Sequence, residues 1–173
     1  MHPQIEYVNY IPGSSTPARA FHNTGKIQVN LSRWNQIPDE FHKKFILGHE
    51  EGHLKGKTNN ELFADNYAFF KLVGKDPFSL QRSVTALTDN LPPNSIGRDQ
   101  RITAQTIRAL KYDYYINKNQ AALEALQKHY PWAIDKTSSF DAGTSKIDYK
   151  TIGIVAVILA FVIVGIIIIK KSK

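Results

Sequence analysis

The sequence predicts an α+β fold: a small antiparallel β-sheet, then a mostly helical domain, then a C-terminal transmembrane helix. Three observations carry this. Residues 26–31 alternate polar and apolar after a turn signal, the period of a half-buried strand. From residue 38 to residue 130, apolar positions recur at helical spacing between glycine and proline punctuation. Residues 152–169 form an apolar run without a charge. The expected division is a domain over 1–134, a flexible linker over 135–151, a membrane span over 152–169 and a basic tail over 170–173.

Residues 5–11, Ile-Glu-Tyr-Val-Asn-Tyr-Ile, are β-prone and roughly alternating, and Pro12, Gly13 and Pro17 break the run. Ala20, Phe21 and His22 lead into the turn signal Asn23-Thr24-Gly25. The strand after it buries Ile27, Val29 and Leu31 on one face. A hairpin or three-stranded antiparallel sheet is the expectation.

Pro38 suits the first turn of a helix, and Asp39 and Glu40 place favourable charge at its N-terminus. This helix runs to about residue 54. His42, Ile46, His49 and His53 share one stripe; Phe41, Phe45, Gly48 and Gly52 form the next. Each glycine weakens a helix by roughly 1 kcal/mol against alanine. Close approach of another backbone would be the return. Gly56 suits a left-handed helix end. Thr58 or Asn59 can cap a second helix over about 60–73, with Glu61, Asp65, Ala68 and Leu72 in one stripe. The short connection makes an αα-hairpin that turns Glu61 towards His49 and His53. Gly74 ends it. Further helices are predicted over about 76–90, with Phe78, Leu80, Val84 and Leu87 inward, then over 99–116 and 119–130, the last stopped by Pro131.

Residues 135–149 are rich in Ser, Thr, Asp, Lys and Gly, the composition of a linker. The 18 residues of 152–169 would span roughly 27 Å as a helix, against a hydrocarbon core of about 30 Å. Lysines flank the run on both sides. Terminal lysines favour the cytoplasmic side. Yet no basic region followed by an apolar run opens the chain, so the expectation is a single-pass C-terminal anchor with the 1–134 domain cytoplasmic. Ala156 and Ala160 permit weak helix–helix self-association in the bilayer.

The net charge is +7, of which Lys170, Lys171 and Lys173 supply three, leaving an excess too mild to argue for nucleic acid. The absence of cysteine excludes disulfides and thiolate metal sites.

The chemistry concentrates in His49-Glu50-Glu51-Gly52-His53, an H-E-x-x-H pattern. Two histidines four apart lie one turn apart on a helix face, so both imidazoles can reach one metal ion. Glu50 is placed to take a proton from a metal-activated water. A catalytic zinc needs a third protein ligand and an open position; Glu61, which begins the next helix, is the candidate. Asp65, one turn further, can hold the outer nitrogen of a ligand histidine, with direct ligation as its alternative. Glu51 reads as a solvated face. Tyr67, His22 and His42 are the candidate oxyanion donors, each set against plain packing or surface.

With these residues in view, the chain resembles the gluzincin metallopeptidases. The form His49-Glu50-Glu51-Gly52-His53…Glu61-Leu62-Phe63-Ala64-Asp65-Asn66-Tyr67-Ala68 is similar to the small ImmA/IrrE-type peptidases. The resemblance covers about residues 20–72. It implies a zincin-like domain, zinc on His49, His53 and Glu61, Glu50 as general base and Asp65 behind a ligand. The gap from His53 to Glu61 is shorter than in most gluzincins, and no histidine follows Asp65 closely. Pro92-Pro93…Arg101-Ile102 has a faint likeness to a segment of HtpX-like membrane peptidases, without its histidine. It draws notice only to Arg101.

The function expected is a membrane-anchored zinc metallopeptidase acting on a protein or peptide. The alternative is a non-catalytic, zinc-stabilised binding or structural protein recruited to a membrane, such as one of a phage particle. The intact Glu50 favours the first, since a purely structural metal needs ligands and no adjacent base.

Overall fold

A computed structural model describes residues 3–134 of the chain. The predicted linker, span and tail over 135–173 lie outside the described residues. Among the described residues no helix is long and apolar enough to cross a membrane.

The architecture is α+β. Three strands, β1 (Gln4–Val8), β2 (Ala18–Phe21) and β3 (Lys26–Asn30), form one sheet in the order β1-β3-β2. Six helices follow: α1 (Leu31–Trp34), α2 (Glu40–Gly56), α3 (Glu61–Leu72), α4 (Ser79–Asn90), α5 (Arg98–Tyr115) and α6 (Gln120–His129), with a 3-10 turn at Pro131–Ala133.

The sheet is mixed, which corrects the antiparallel expectation. β2 and β3 form the antiparallel hairpin, with Ala20 opposite Ile27, and Gly25 in its turn takes φ +66°. β1 instead pairs parallel with the far edge of β3, Ile5 beside Ile27 and Tyr7 beside Val29. The chain between β1 and β2 crosses to the other side of β3, turning at Gly13 (φ +69°) and burying Ile11. Ile27 and Val29 are buried as expected. Leu31 does not share their strand; it opens α1 and is half-buried.

Ile27 and Val29 join Ala18, Trp34 and Ile37 in a core on which Ile46, Leu47 and Leu54 of α2 pack. The Asp39 carboxylate caps α2, accepting from the N–H groups of Phe41 and His42. Arg82 of α4 grips the same carboxylate at 2.5 Å. The opposite side of α2 meets α3 through small residues. A Cβ added at Gly52 would lie 2.9 Å from Ala64 Cα, and one at Gly48 3.2 Å from Ala68 Cα. The glycines therefore permit the close helix approach that the sequence suggested.

Lys57, not Gly56, takes the left-handed conformation at the end of α2 (φ +46°). Gly56 is the last helical residue, and a Cβ there would strike the Phe63 ring. The cap of α3 is Asn60, whose side chain accepts from Phe63 N–H at 3.1 Å. Phe78, predicted inward, is 64% exposed, because α4 starts after it at Ser79. Val84 and Leu87 of the same helix are buried.

Candidate metal centre

α2 and α3 pack as a hairpin, and three side chains converge between them. His49 Nε2 and His53 Nε2 lie 3.0 Å apart. Glu61 Oε2 is 3.2 Å from His49 Nε2, and Oε1 is 3.6 Å from His53 Nε2. The chosen ligand atoms of the three residues all lie within 4.8 Å of one another.

Each imidazole is held from behind. His49 Nδ1 meets Asp65 Oδ1 at 2.8 Å, and His53 Nδ1 meets the Thr58 carbonyl at 2.8 Å. Both partners are acceptors, so each Nδ1 carries its hydrogen and each Nε2 is the atom turned inward, free to offer a lone pair once its ring is neutral. Two imidazole nitrogens and a carboxylate facing one another form a donor set that could hold a cation once both rings are neutral. Nitrogens sharing a tetrahedral ion of zinc's size lie about 3.3 Å apart, close to the spacing here. The residues fit a metal ion.

Asp65 is completely buried. Arg101 of α5 donates to it twice, Nε to Oδ2 at 2.8 Å and Nη2 to Oδ1 at 2.7 Å. Arg101 Nη1 also pairs with Glu61 Oε2 at 2.7 Å. One guanidinium thus braces both the carboxylate behind His49 and the carboxylate that faces it. Burial works against charge on His49, but the hydrogen bonds of Asp65 and Glu61 outweigh it and push its pKa up to about 9. His53 is lowered, by burial and by the neighbouring His49 charge. Burial tends to raise the Asp65 pKa, yet His49 and Arg101 hold the carboxyl below its usual range. Glu61 is lowered by its hydrogen bond to His49.

Glu50 projects from α2 towards the edge of the sheet. Its Oε2 accepts the Ala20 N–H of β2 at 2.7 Å. Burial raises its pKa, with the His49 charge and the Ala20 bond opposing. Glu50, His49, His53, Glu61 and Arg101 line one cleft of about 340 Å³ between β2, α2, α3 and the end of α4.

The other expectations fare differently. Glu51 is not on a solvated face: it is 5% exposed, ion-paired with Lys71 and accepting from Tyr67 Oη at 2.8 Å. α3 comes close enough to set both partners over it. Tyr67 therefore spends its hydroxyl on Glu51, and its pKa is pushed up to about 12 by burial and by that bond. His42 is buried, with Thr85 Oγ1 at 3.0 Å from its Nε2 and Asn90 Nδ2 at 3.3 Å from its Nδ1. His22 does line the cleft, 3.1 Å from Asn59 Oδ1. The double bracing by Arg101 had no local signal, since α5 lies far along the chain.

Comparison with family models, curated proteins and solved structures finds no match to this chain.

Proposed function

We propose that the chain is a zinc metallopeptidase, similar to the gluzincins and the small ImmA/IrrE-type peptidases, carried at a membrane by residues 152–169. The observation that carries this reading is the convergence of His49, His53 and Glu61 in a cleft that also receives Glu50. Two nitrogens and one oxygen leave a fourth position open, the donor count of catalytic zinc. Zinc, when bound, polarises the scissile carbonyl and makes a water nucleophilic near neutral pH.

The chain's own residues do the rest. Asp65 and the Thr58 carbonyl fix the tautomers that turn both Nε2 atoms to the metal. Arg101 keeps Asp65 and Glu61 ionised and in place. Glu50, its pKa lifted by burial, takes the water's proton as the oxygen attacks the carbonyl carbon. The C–N bond then breaks, and the same proton passes to the departing amine. The Ala20 N–H orients Glu50 for both transfers.

The bond from Ala20 to Glu50 also favours a second reading. It ties α2 to the sheet, so Glu50 would have a structural use in a metal-stapled binding protein without activity.

One substitution separates the two. The full chain with Glu50→Gln should hold about one zinc, as wild type does, while hydrolysis of a quenched fluorogenic peptide library falls about 10²–10⁴-fold. Equal hydrolysis by Glu50→Gln, or no hydrolysis by zinc-loaded wild type, would overturn the peptidase reading.

A further inference from the structure

The two edges of the sheet differ in what covers them. β2 forms one edge, and its Ala20 N–H is taken by Glu50 of α2. β1 forms the other, and among the described residues no strand lies beyond it. In-register pairing puts Ile5 and Tyr7 on the same face as Ile27 and Val29. Ile27 and Val29 are buried in the core on which α2 packs, yet Ile5 is 40% exposed and Tyr7 55%. The apolar face of the sheet thus runs one strand past its core.

Edge strands are ordinarily protected by lysine, an internal proline, a bulge or a covering element. β1, Gln4-Ile5-Glu6-Tyr7-Val8, has neither lysine nor proline, and it pairs with β3 residue for residue, without a bulge. Pro3 stands just before the strand, at a ladder end where a missing N–H is tolerated. We propose that this edge docks a second copy of the chain, β1 against β1, antiparallel about a twofold axis, with Ile5 opposite the partner's Ile5. The proposal holds whether or not the metal centre is catalytic.

The strand's own sequence selects this register. A twofold axis normal to the sheet keeps the apolar faces of both copies on one side. The registers that keep most of β1 paired then set Ile5 opposite the partner's Ile5, Tyr7 or Asn9. With Ile5 opposite Tyr7, the two Glu6 carboxylates face each other, which is destabilising. With Ile5 opposite Asn9, Ile5 meets a polar side chain and Glu6 meets Val8. With Ile5 opposite Ile5, Glu6 faces Gln4, whose amide can donate to it, and Tyr7 faces Pro3. That register alone joins apolar to apolar and gives the carboxylate a donor. The joined sheet runs β2-β3-β1-β1-β3-β2. At about 4.8 Å per strand the two β2 edges lie about 24 Å apart, so both clefts stay open. A single strand pair is a small interface, so the association is weak and depends on concentration.

The chain has no cysteine, so an introduced thiol is the only one. Cα atoms opposed across an antiparallel pair are about 4.5–5.5 Å apart, within disulfide range. The full chain with Ile5→Cys, under mild oxidation, should form a disulfide dimer about tenfold or more faster than the full chain with Ile96→Cys. Ile96 is fully exposed and reports random collision. Gln4→Cys mixed with Glu6→Cys should cross-link faster than either chain alone. In sedimentation, Ile5→Lys should weaken self-association, and mixing it with Ile5→Glu should restore it. Ile5→Cys no faster than Ile96→Cys would overturn the dimer, and mixed chains no faster than single ones would overturn the register on which it rests. An Ile5→Cys thiol shielded from maleimide yet not cross-linked would assign the edge to another segment of the chain and overturn the proposal equally.

Discussion

Arg101 lies against Asp65 in a two-point contact, Nε to Oδ2 at 2.8 Å and Nη2 to Oδ1 at 2.7 Å. The carboxylate is fully buried and also serves His49. Removing one partner of such a pair strands the other charge away from water. Asp65→Ala should therefore destabilise the protein by about 3–5 kcal/mol in chemical denaturation. Asp65→Ala combined with Arg101→Met should be less destabilised than the sum of the two single variants. Additive losses would show that the contact carries no coupling.

On the proposed reading, His49 should make metal binding depend on pH. Its folded, metal-free pKa of about 9 is above the ordinary 6.5, so at neutral pH it holds a proton. A metal needs the neutral ring. Zinc uptake at pH 7 should then release about one proton from His49, read by calorimetry in buffers of different ionisation enthalpy. Apparent zinc affinity should rise about tenfold per pH unit until pH 9, then flatten. In the metal-free protein the raised pKa stabilises the fold fully below about 6.5, and this contribution is lost as pH rises through 9. Zinc uptake without proton release would contradict the charged His49.

The α2–α3 spacing is open to a direct test at Gly52. An alanine Cβ would sit 2.9 Å from the Ala64 backbone, which must shift. The strain of about 1–3 kcal/mol exceeds the roughly 1 kcal/mol that alanine returns in helix propensity. Gly52→Ala should lower the melting temperature and, by moving Glu61 away from His53, weaken zinc binding. Gly48→Ala, at 3.2 Å from Ala68 Cα, should do both less.

Tyr67 and Glu51 offer the contrasting case. Tyr67→Phe leaves a buried Glu51 oxygen without its hydroxyl donor, so stability should fall by about 1–3 kcal/mol. Zinc affinity, measured by competition with a chromogenic chelator, should stay within about twofold. A large loss of zinc would tie this pair to the metal centre.

The helical half of the domain was readable because its signals are local. The stripe His42-Ile46-His49-His53 and the acidic first turn at Glu40 lie within a few residues of what they determine, and the cap expected at Thr58 or Asn59 falls one residue later, at Asn60. The three site residues share that property: four residues separate the histidines, and a short connection brings Glu61 round. The unread parts depend on distant chain. Strand alternation says which face is buried, but not that β1 lies parallel to β3 while β2 takes the other edge. Glu51 reads as surface from α2 alone. It becomes buried only because Ala64 and Ala68 let α3 approach, setting Tyr67 and Lys71 over it. The roles of Arg101 and Arg98 appear only when α5 docks.

Those two arginines stand one turn apart on α5. Arg98 holds the carbonyls of Thr88 and Leu91 at the apolar end of the cleft, and Arg101 holds Asp65 and Glu61 at the metal end. A single rigid rod thus anchors both. A tilt of that rod would act as a lever, shifting the Thr88 and Leu91 carbonyls and loosening the Asp65 and Glu61 carboxylates in one stroke. The two ends of the cleft would change shape together.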